Sequence, residues 1–286
     1  MVASVAMLWY GAGVSHRAVM GTVIENIATL NVAAVLKKRT STQTQFVEKF
    51  DTPFVLEENW PISRSGSANW WVSSGAYLIS EGGIGRTIMG KLDASDPWVA
   101  KFALANARDT DQGYRPQNIF RLVLKKKYLN ATQEVYARIA YYEPSESEAR
   151  NASNGILLFN RYIDENTLYY AGVRVDGQAV IKKKQNGVYT TLAVKSVFEG
   201  AYDRATRPNL IPENVWFGVR SVVSTDKQGR VKIALYTDME RTGIWTLATE
   251  AIDDGAFAGR TISTAGYAGI RTDFMDVEFD DYRITP

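Results

Sequence analysis

From Phe46 onward the chain alternates short apolar runs with turn residues, and few of those runs have the length or the period of a helix. WWVSSGAYLIS, VWFGVRSVVS, VKIALYTD, IWTLATEAI and MDVEFDDYRI are rich in Val, Ile, Tyr, Trp and Phe, the residues that fit a pleated surface. Asp176-Gly177 and Asn186-Gly187 are the sharpest turn signals, because a two-residue hairpin turn needs positive φ at its centre. Many strands at short spacing, with no long helix after residue 45, predict an all-β, two-sheet antiparallel jelly-roll sandwich over 46–286. Its last strand, near Met275 to Ile284, is expected to lie close to the strand that begins near Phe46. The polar stretch Tyr141 to Gly155 predicts a long surface loop.

Residues 1–45 follow a different pattern. The opening run MVASVAMLWYGAGV is too short to span a bilayer and has no basic region before it, so it fits a standard signal peptide poorly. Val23, Ile27, Leu30 and Val35 then recur at roughly helical spacing, and LKKRTSTQTQ reads as a helix end and a polar linker. Arg17-Ala18-Val19 and the fragment GTVIE, Gly21 to Glu25, resemble the leader and processing site of type IV pilin-like proteins. That resemblance implies export, or membrane or filament association through residues 1–45. A helix packed on the domain and a misassigned start codon are the alternatives.

Composition narrows the chemistry. With 286 residues, 45% hydrophobic and 22% charged, the chain is an ordinary folded protein. A formal net charge of +2 supplies no global basic field, so nucleic acid is not an expected partner. The clusters Lys125-Lys126-Lys127 and Lys182-Lys183-Lys184 are local and read as solvated strand edges. The absence of cysteine excludes disulfides, thiolate zinc sites and cysteine nucleophiles. The only histidine, His16, precedes the sandwich, which leaves that domain without a histidine base.

The segments GILLFNRY, LYYAGVRVDG, VIKKKQNGVYTTLA, WFGVRSVV and GYAGIRTDFMDVEFDDYRI, with FDDYRI as the ending, resemble the laminin-G or concanavalin A-like jelly roll of secreted carbohydrate-active proteins over roughly Phe46 to Ile284. The resemblance implies an extracytoplasmic, secreted or cell-surface protein. It leaves function open among lectin-like modules, glycoside hydrolases, polysaccharide lyases and adhesive domains. Retaining glycosidases of this fold carry an E-x-D-x-x-E strand with alternate carboxylates on one face. None occurs here, and Asp276-Val277-Glu278 is the nearest approach. A Q-I-H strand, as in jelly-roll alginate lyases, is also missing. Lyases that use a tyrosine base and a Lys or Arg neutraliser remain open. By resemblance, a structural Ca2+ would take Asp281 of FDDYRI, with Asp51 as a partner. The sequons at Asn130 and Asn151 matter only in a host that glycosylates exported proteins.

Turn positions suggest a site. A five-residue connection at IDENT sets Asn160 opposite Tyr170, a two-residue turn at Asp176-Gly177 sets Tyr170 opposite Lys183, and the Asn186-Gly187 turn sets Lys183 opposite Thr190. Asn160, Tyr170, Lys183 and Thr190 then form one row. Arg174 shares its face, and Gly172 leaves room for a ligand. The opposite face, with Leu157, Phe159, Ala171, Val173, Val175 and Val180, is the expected core, and Arg161, Tyr169 and Lys184 lie on it near strand ends. Mid-strand Arg174 and Lys183 would be costly to bury unpaired. The expected function is polysaccharide binding by Asn160, Tyr170, Arg174, Lys183 and Thr190, with the ring stacking on a sugar and the polar groups bonding hydroxyls or an acidic substituent. One alternative is a lyase acting on a uronate polymer, with Tyr170 as base and Lys183 and Arg174 as neutralisers. A solvated face without a ligand, in a surface or filament-associated structural protein, is the other. Of Trp60, Trp70, Trp71, Trp98, Trp216 and Trp245, most are expected in the core, with one or two lining a groove.

Overall fold

The computed structural model describes residues 44–256 and 259–286. The helix expected within residues 1–45, its proposed role in export or anchoring, and His16 lie outside the described residues. Among the described residues no helix is long and apolar enough to cross a membrane.

The described residues form two antiparallel sheets. One has nine strands, in the spatial order β14 (Thr246–Asp253), β13 (Val231–Met239), β12 (Phe217–Thr225), β7 (Ala131–Tyr142), β16 (Met275–Thr285), β5 (Ile84–Arg86), β4 (Tyr77–Glu81) and β2 (Phe54–Glu57), with β1 (Phe46–Glu48) paired to β16. The other has seven, in the order β11 (Val188–Ser196), β10 (Gln178–Gln185), β9 (Thr167–Arg174), β8 (Gly155–Asp164), β15 (Gly266–Thr272), β6 (Arg121–Tyr128) and β3 (Trp70–Ser74). The architecture is the two-sheet jelly-roll sandwich that the strand pattern predicts. Phe46 pairs with Ile284, so the first and last strands are neighbours, also as expected.

The main core lies between the sheets and includes Trp70, Leu122, Leu158, Ala171, Val173, Val219, Val277 and Phe279. A second cluster, Trp71, Val123, Leu157, Phe159, Leu168, Tyr170 and Val180, covers the outer face of the seven-stranded sheet. Several of its strands are therefore apolar on both faces, and β8 and β9 are buried along nearly their whole length. Period-two alternation disappears in such strands, and the inner face cannot be told from the outer by hydrophobicity.

Among the described residues one α-helix interrupts the sandwich. Helix α1 (Pro97–Asn106) begins where the Asp96 side chain accepts a hydrogen bond from the Trp98 amide at 2.8 Å, and Pro97 occupies the first turn. It buries Trp98, Val99 and Phe102, and Trp98 and Phe102 pack with Ala76 and Ile88. The connection from β7 to β8 is a loop, as expected, but its polar residues turn inward. Ser145 and Ser147 donate to Asp111 at 2.6 Å and Asp109 at 2.5 Å, and Glu143 is ion-paired with Arg115.

Candidate functional site

Register decides which residues share a face. The Asn186-Gly187 turn behaves as expected: both residues have positive φ, Gln185 pairs with Val188, and Lys183 stands opposite Thr190. The other two connections differ. Between β8 and β9 the turn is Glu165-Asn166, with Asp164 opposite Thr167, and an irregularity around Arg161 (φ 48°) shifts the ladder so that Asn160 pairs with Tyr169. Between β9 and β10 the connection includes Val175 as well as Asp176 and Gly177, which sets Tyr169 opposite Lys183 and Tyr170 opposite Lys182. A one-residue slip exchanges the faces of a strand. The row of Asn160, Tyr170, Lys183 and Thr190 is therefore corrected: Asn160, Lys183 and Thr190 belong to the inner ladder, and Tyr170 and Arg174 to the outer face.

Of these, the buried Asn160 and Lys183 are satisfied within the core. The Lys183 ammonium bonds the Asp253 carboxylate at 2.8 Å and the carbonyls of Gly259 and Arg260 at 2.7 and 2.6 Å, with no side-chain exposure. Asp253 also accepts from the Tyr169 hydroxyl at 2.5 Å. This pair links β10 of one sheet to β14 of the other. The premise that Lys183 would be buried unpaired is thus overturned by a carboxylate from the opposite sheet. Asn160 accepts from Gln133 at 2.8 Å, and Gln133 accepts from the Tyr282 hydroxyl at 3.1 Å. Arg161 is buried and donates to the carbonyls of Leu129 and Ile262 and to the Thr225 hydroxyl. Lys183 cannot reach a ligand on the face that carries Tyr170, and the proposed partnership of the two ends there.

The outer face of the seven-stranded sheet carries a different constellation. Trp71, Val123, Gly269, Phe159, Tyr170, Lys182 and Thr191 stand opposite one another in turn, one from each strand, and form a row perpendicular to the chain direction. A parallel row carries Arg121 on β6 and Arg271 on β15, which are direct partners. On the other side Lys184 pairs with Tyr189. Gly172 lies on this face too, but a Cβ there would approach the Ile156 carbonyl oxygen to 2.2 Å, so the strand spacing requires the glycine.

Arg271 is the centre of this arrangement. Its Nε bonds both oxygens of Asp273 at 3.1 and 2.8 Å, and its Nη1 donates to the hydroxyls of Tyr170 at 3.0 Å and Tyr189 at 3.3 Å. Asp273 also holds Arg121 at 3.0 Å. The Tyr170 and Tyr189 rings are stacked with centroids 6.0 Å apart, and the Lys184 ammonium lies 4.7 Å from the Tyr189 centroid. Arg174 is ion-paired with Asp176 and donates to the Ala152 carbonyl at 3.0 Å. Lys182 lies 3.5 Å from the Ser153 hydroxyl. Tyr170 is only 4% exposed, whereas Tyr189 is 47% exposed, so an incoming ligand would meet Tyr189 first.

Electrostatics separates the two phenols. Burial pushes the Tyr170 phenol up, against the pull of Arg271 and Arg121. Burial alone would raise Tyr189 as well, but the charge of Arg271, hydrogen bonds from Arg271 and Tyr170, and the charge of Lys184 outweigh it and bring that phenol below its ordinary value. Lys182 is lowered by burial first and then by repulsion from Arg174 and Arg271. Cations therefore crowd this face, with Asp273 paired to Arg271 and Arg121 and Asp176 to Arg174. Such a face attracts anionic groups.

At the far edge, Trp60 packs on Trp71 with centroids 5.4 Å apart. Trp70, Trp71 and Trp98 are buried, Trp216 and Trp245 are half-buried, and Trp60 is 72% exposed. Three of these six tryptophans are thus core residues, fewer than the sequence leads one to expect.

The residues suggested for a metal have other surroundings. Asp281 (φ 48°) shares the Arg241 guanidinium with Asp280, both at 2.5 Å, and Asp51 is exposed. Among the described residues no group of three or more His, Asp or Glu side chains is placed to hold a metal ion. A guanidinium already serves the Asp281 carboxylate, so this set does not fit Ca2+.

Sequence reasoning missed Arg271, Asp273, Tyr189 and Lys182. Tyr189 and Lys182 lie in the stretch that the turns organise, and the slip in register hid them. Arg271 and Asp273 come from the end of the chain, and only the insertion of β15 between β8 and β6 brings them beside Tyr170.

No family model matches the chain, and no curated protein does. Among solved structures, the carbohydrate-binding module CBM66 from Bacillus subtilis is similar at 15% identity and a TM-score of 0.41, over 59% of this chain and 82% of that one. The β-glucanase of Bacillus licheniformis is similar at 12% identity and 0.45, over 86% and 100%. A xylan β-1,4-xylosidase from Bacillus halodurans is similar at 10% identity and 0.42, over 84% of this chain but only 39% of the enzyme. These identities and TM-scores leave ligand and activity to be read from the chain's own residues.

Proposed function

We propose that the protein is an extracytoplasmic polysaccharide-binding domain, and that an acidic glycan lies on the outer face of the seven-stranded sheet. The observation that carries this reading is the Tyr170–Arg271–Tyr189 cluster, flanked by Lys182 and Lys184, with the Tyr189 ring half exposed. The Tyr189 ring offers a flat apolar surface for a pyranose. Arg271, Lys182 and Lys184 supply donors for a carboxylate or sulfate beside that ring. Asp273 holds the Arg271 side chain in place, so little side-chain entropy is lost on binding.

A second reading follows from the lowered Tyr189 phenol beside a fixed guanidinium. In a lyase, the Tyr189 phenolate would take the proton α to a uronate carboxylate while Arg271 neutralises that carboxylate. The electron pair would form the new ring double bond as the bond from the ring to the glycosidic oxygen breaks, and that oxygen would take the proton from the Tyr189 hydroxyl, which restores the phenolate. The two readings diverge in one experiment: a glycan array, followed by incubation of each bound polymer and measurement of unsaturated ends by ultraviolet absorbance. Binding that Tyr189→Ala abolishes, without new ends, is the expected result. New ends that disappear in Tyr189→Phe while binding persists would establish the lyase. A Tyr189→Ala protein that still binds every glycan of the parent would overturn both.

A further inference from the structure

Trp60 stands outside the cluster just described, yet it is joined to it. The transverse row runs without a break from Trp71 on β3 to Thr191 on β11, and Trp60 covers the Trp71 end. Six strand spacings separate the ends of that row, so it extends roughly 29 Å at about 4.8 Å per spacing. The described indoles differ sharply in exposure, and Trp60, at 72%, is the most open of them. Exposure of so large an apolar surface needs a reason, because indoles are mostly buried on average.

The segment that carries Trp60 is fixed to the sheet. Glu58 donates its amide to the Ala76 carbonyl at 2.6 Å, and its carboxylate accepts from the Ala76 amide at 3.1 Å. The Asn59 amide donates to Val72, the Asn59 carbonyl accepts from the Trp71 indole at 2.5 Å, and the Asn59 side chain accepts from the Trp60 amide at 3.0 Å. Ile62, just after Trp60, packs against the outer apolar cluster. An exposed ring on a segment with so many ties is preorganised rather than loose, which lowers the cost of placing a ligand on it.

We infer that Trp60 is a second, remote sugar-stacking subsite, and that the polysaccharide crosses the strands from the cationic Tyr189 end to the Trp60 end. The inference rests on the glycan reading and adds the direction of the chain, its extent and a distant contact. The two ends differ in chemistry. Tyr189 lies among Arg271, Lys182 and Lys184 and selects an acidic sugar, whereas Trp60 needs only the apolar face of a ring. Affinity should therefore rise with chain length until one molecule reaches both ends, as a tethered second contact requires.

Calorimetric titration of the full chain with size-fractionated oligogalacturonates and oligomannuronates tests this. The parent should bind short oligomers weakly and gain affinity as the chain lengthens. Trp60→Ala should remove that gain, about tenfold for the longest chains by analogy with losing one aromatic contact at an interface, and leave the shortest oligomers unaffected. Trp60→Phe should restore most of the gain, because stacking needs a ring. Tyr189→Ala should weaken binding at every length. Equal affinity of Trp60→Ala and parent for the longest chains would overturn the inference, and a Tyr189→Ala defect in the same series would leave the glycan reading standing. Failure of every oligouronate to bind would overturn both.

Discussion

Lys183→Met separates the two faces of the sheet in a single protein. The substitution keeps the length of the side chain but leaves the Asp253 carboxylate, 2% exposed, with the Tyr169 hydroxyl and the Gly255 amide and without its ion-pair partner. Removing one partner of a buried pair costs about 3–5 kcal/mol, because the remaining charge has lost its compensation and cannot regain water. For a domain of this size that corresponds to a fall in Tm of about 6–20 °C. Urea unfolding followed by circular dichroism and tryptophan fluorescence measures the loss directly. Replacing Asp253 by Leu in the same protein removes the stranded charge and should recover part of the stability. Recovery stays incomplete because the carbonyls of Gly259 and Arg260 still lack their donor. Glycan binding by the folded fraction of Lys183→Met should match the parent. A Lys183→Met protein within about 1 kcal/mol of the parent, less than the typical point-mutation cost, that has lost binding would refute the inner placement and return Lys183 to the ligand face.

Lys182→Ala, the substitution next in sequence but on the opposite face, should leave Tm within about 2 °C, as for a surface change of under 0.5 kcal/mol, and weaken binding of an acidic glycan by about 1 kcal/mol, as for a partly exposed ion pair. The same binding should weaken as salt rises, and an affinity that ignores salt would exclude a charge-driven contact. Alkaline titration should reveal the buried phenols. Burial pushes Tyr142 and Tyr162 up to about 12 and raises Tyr169 and Tyr282 as well, so their contribution is fully present below the unfolded value near 10 and is lost as pH rises from there through the folded values. The phenolate absorbance of these buried rings should consequently appear together with the loss of circular dichroism above pH 10, after the exposed Tyr189 has ionised. Finally, a chelator should leave Tm unchanged, because Arg241 already serves Asp281. A calcium-dependent rise in Tm that Asp281→Ala abolishes would show that the cation displaces that arginine.

Much of the sandwich was legible because its signals are local. Asn186-Gly187 fixes a two-residue hairpin, and the apolar stretches of the later strands have the right length and composition. The β1–β16 neighbourhood agreed with the expected closing of the domain. Helix α1 escaped the strand pattern, although Asp96-Pro97 before an apolar segment is the ordinary start of a helix. Asp176-Gly177 misled for a physical reason. The turn incorporates Val175, and Gly177 alone of the Asp-Gly pair has positive φ, so the connection is a three-residue one with its glycine in the left-handed position.

The candidate site was less legible, since burial on both sides of β8 and β9 erased the alternation that would have exposed the error. Charge then points to the outer face only if a mid-strand lysine seeks water. That condition holds only for an unpaired lysine. The chain supplies Asp253 from β14, seventy residues later, and carbonyls from the segment that follows it, so the lysine that looked most solvent-seeking is fully buried. Asp273 does the corresponding work on the outer face, where it holds Arg271 and Arg121 against the sheet instead of removing them from it. The two carboxylates are alike in sequence and opposite in consequence: one completes a closed pair between the sheets, the other fixes a guanidinium whose remaining reach includes two tyrosine hydroxyls. Only the order of strands, with β15 between β8 and β6 and β14 at the edge of the facing sheet, decides which carboxylate meets which cation.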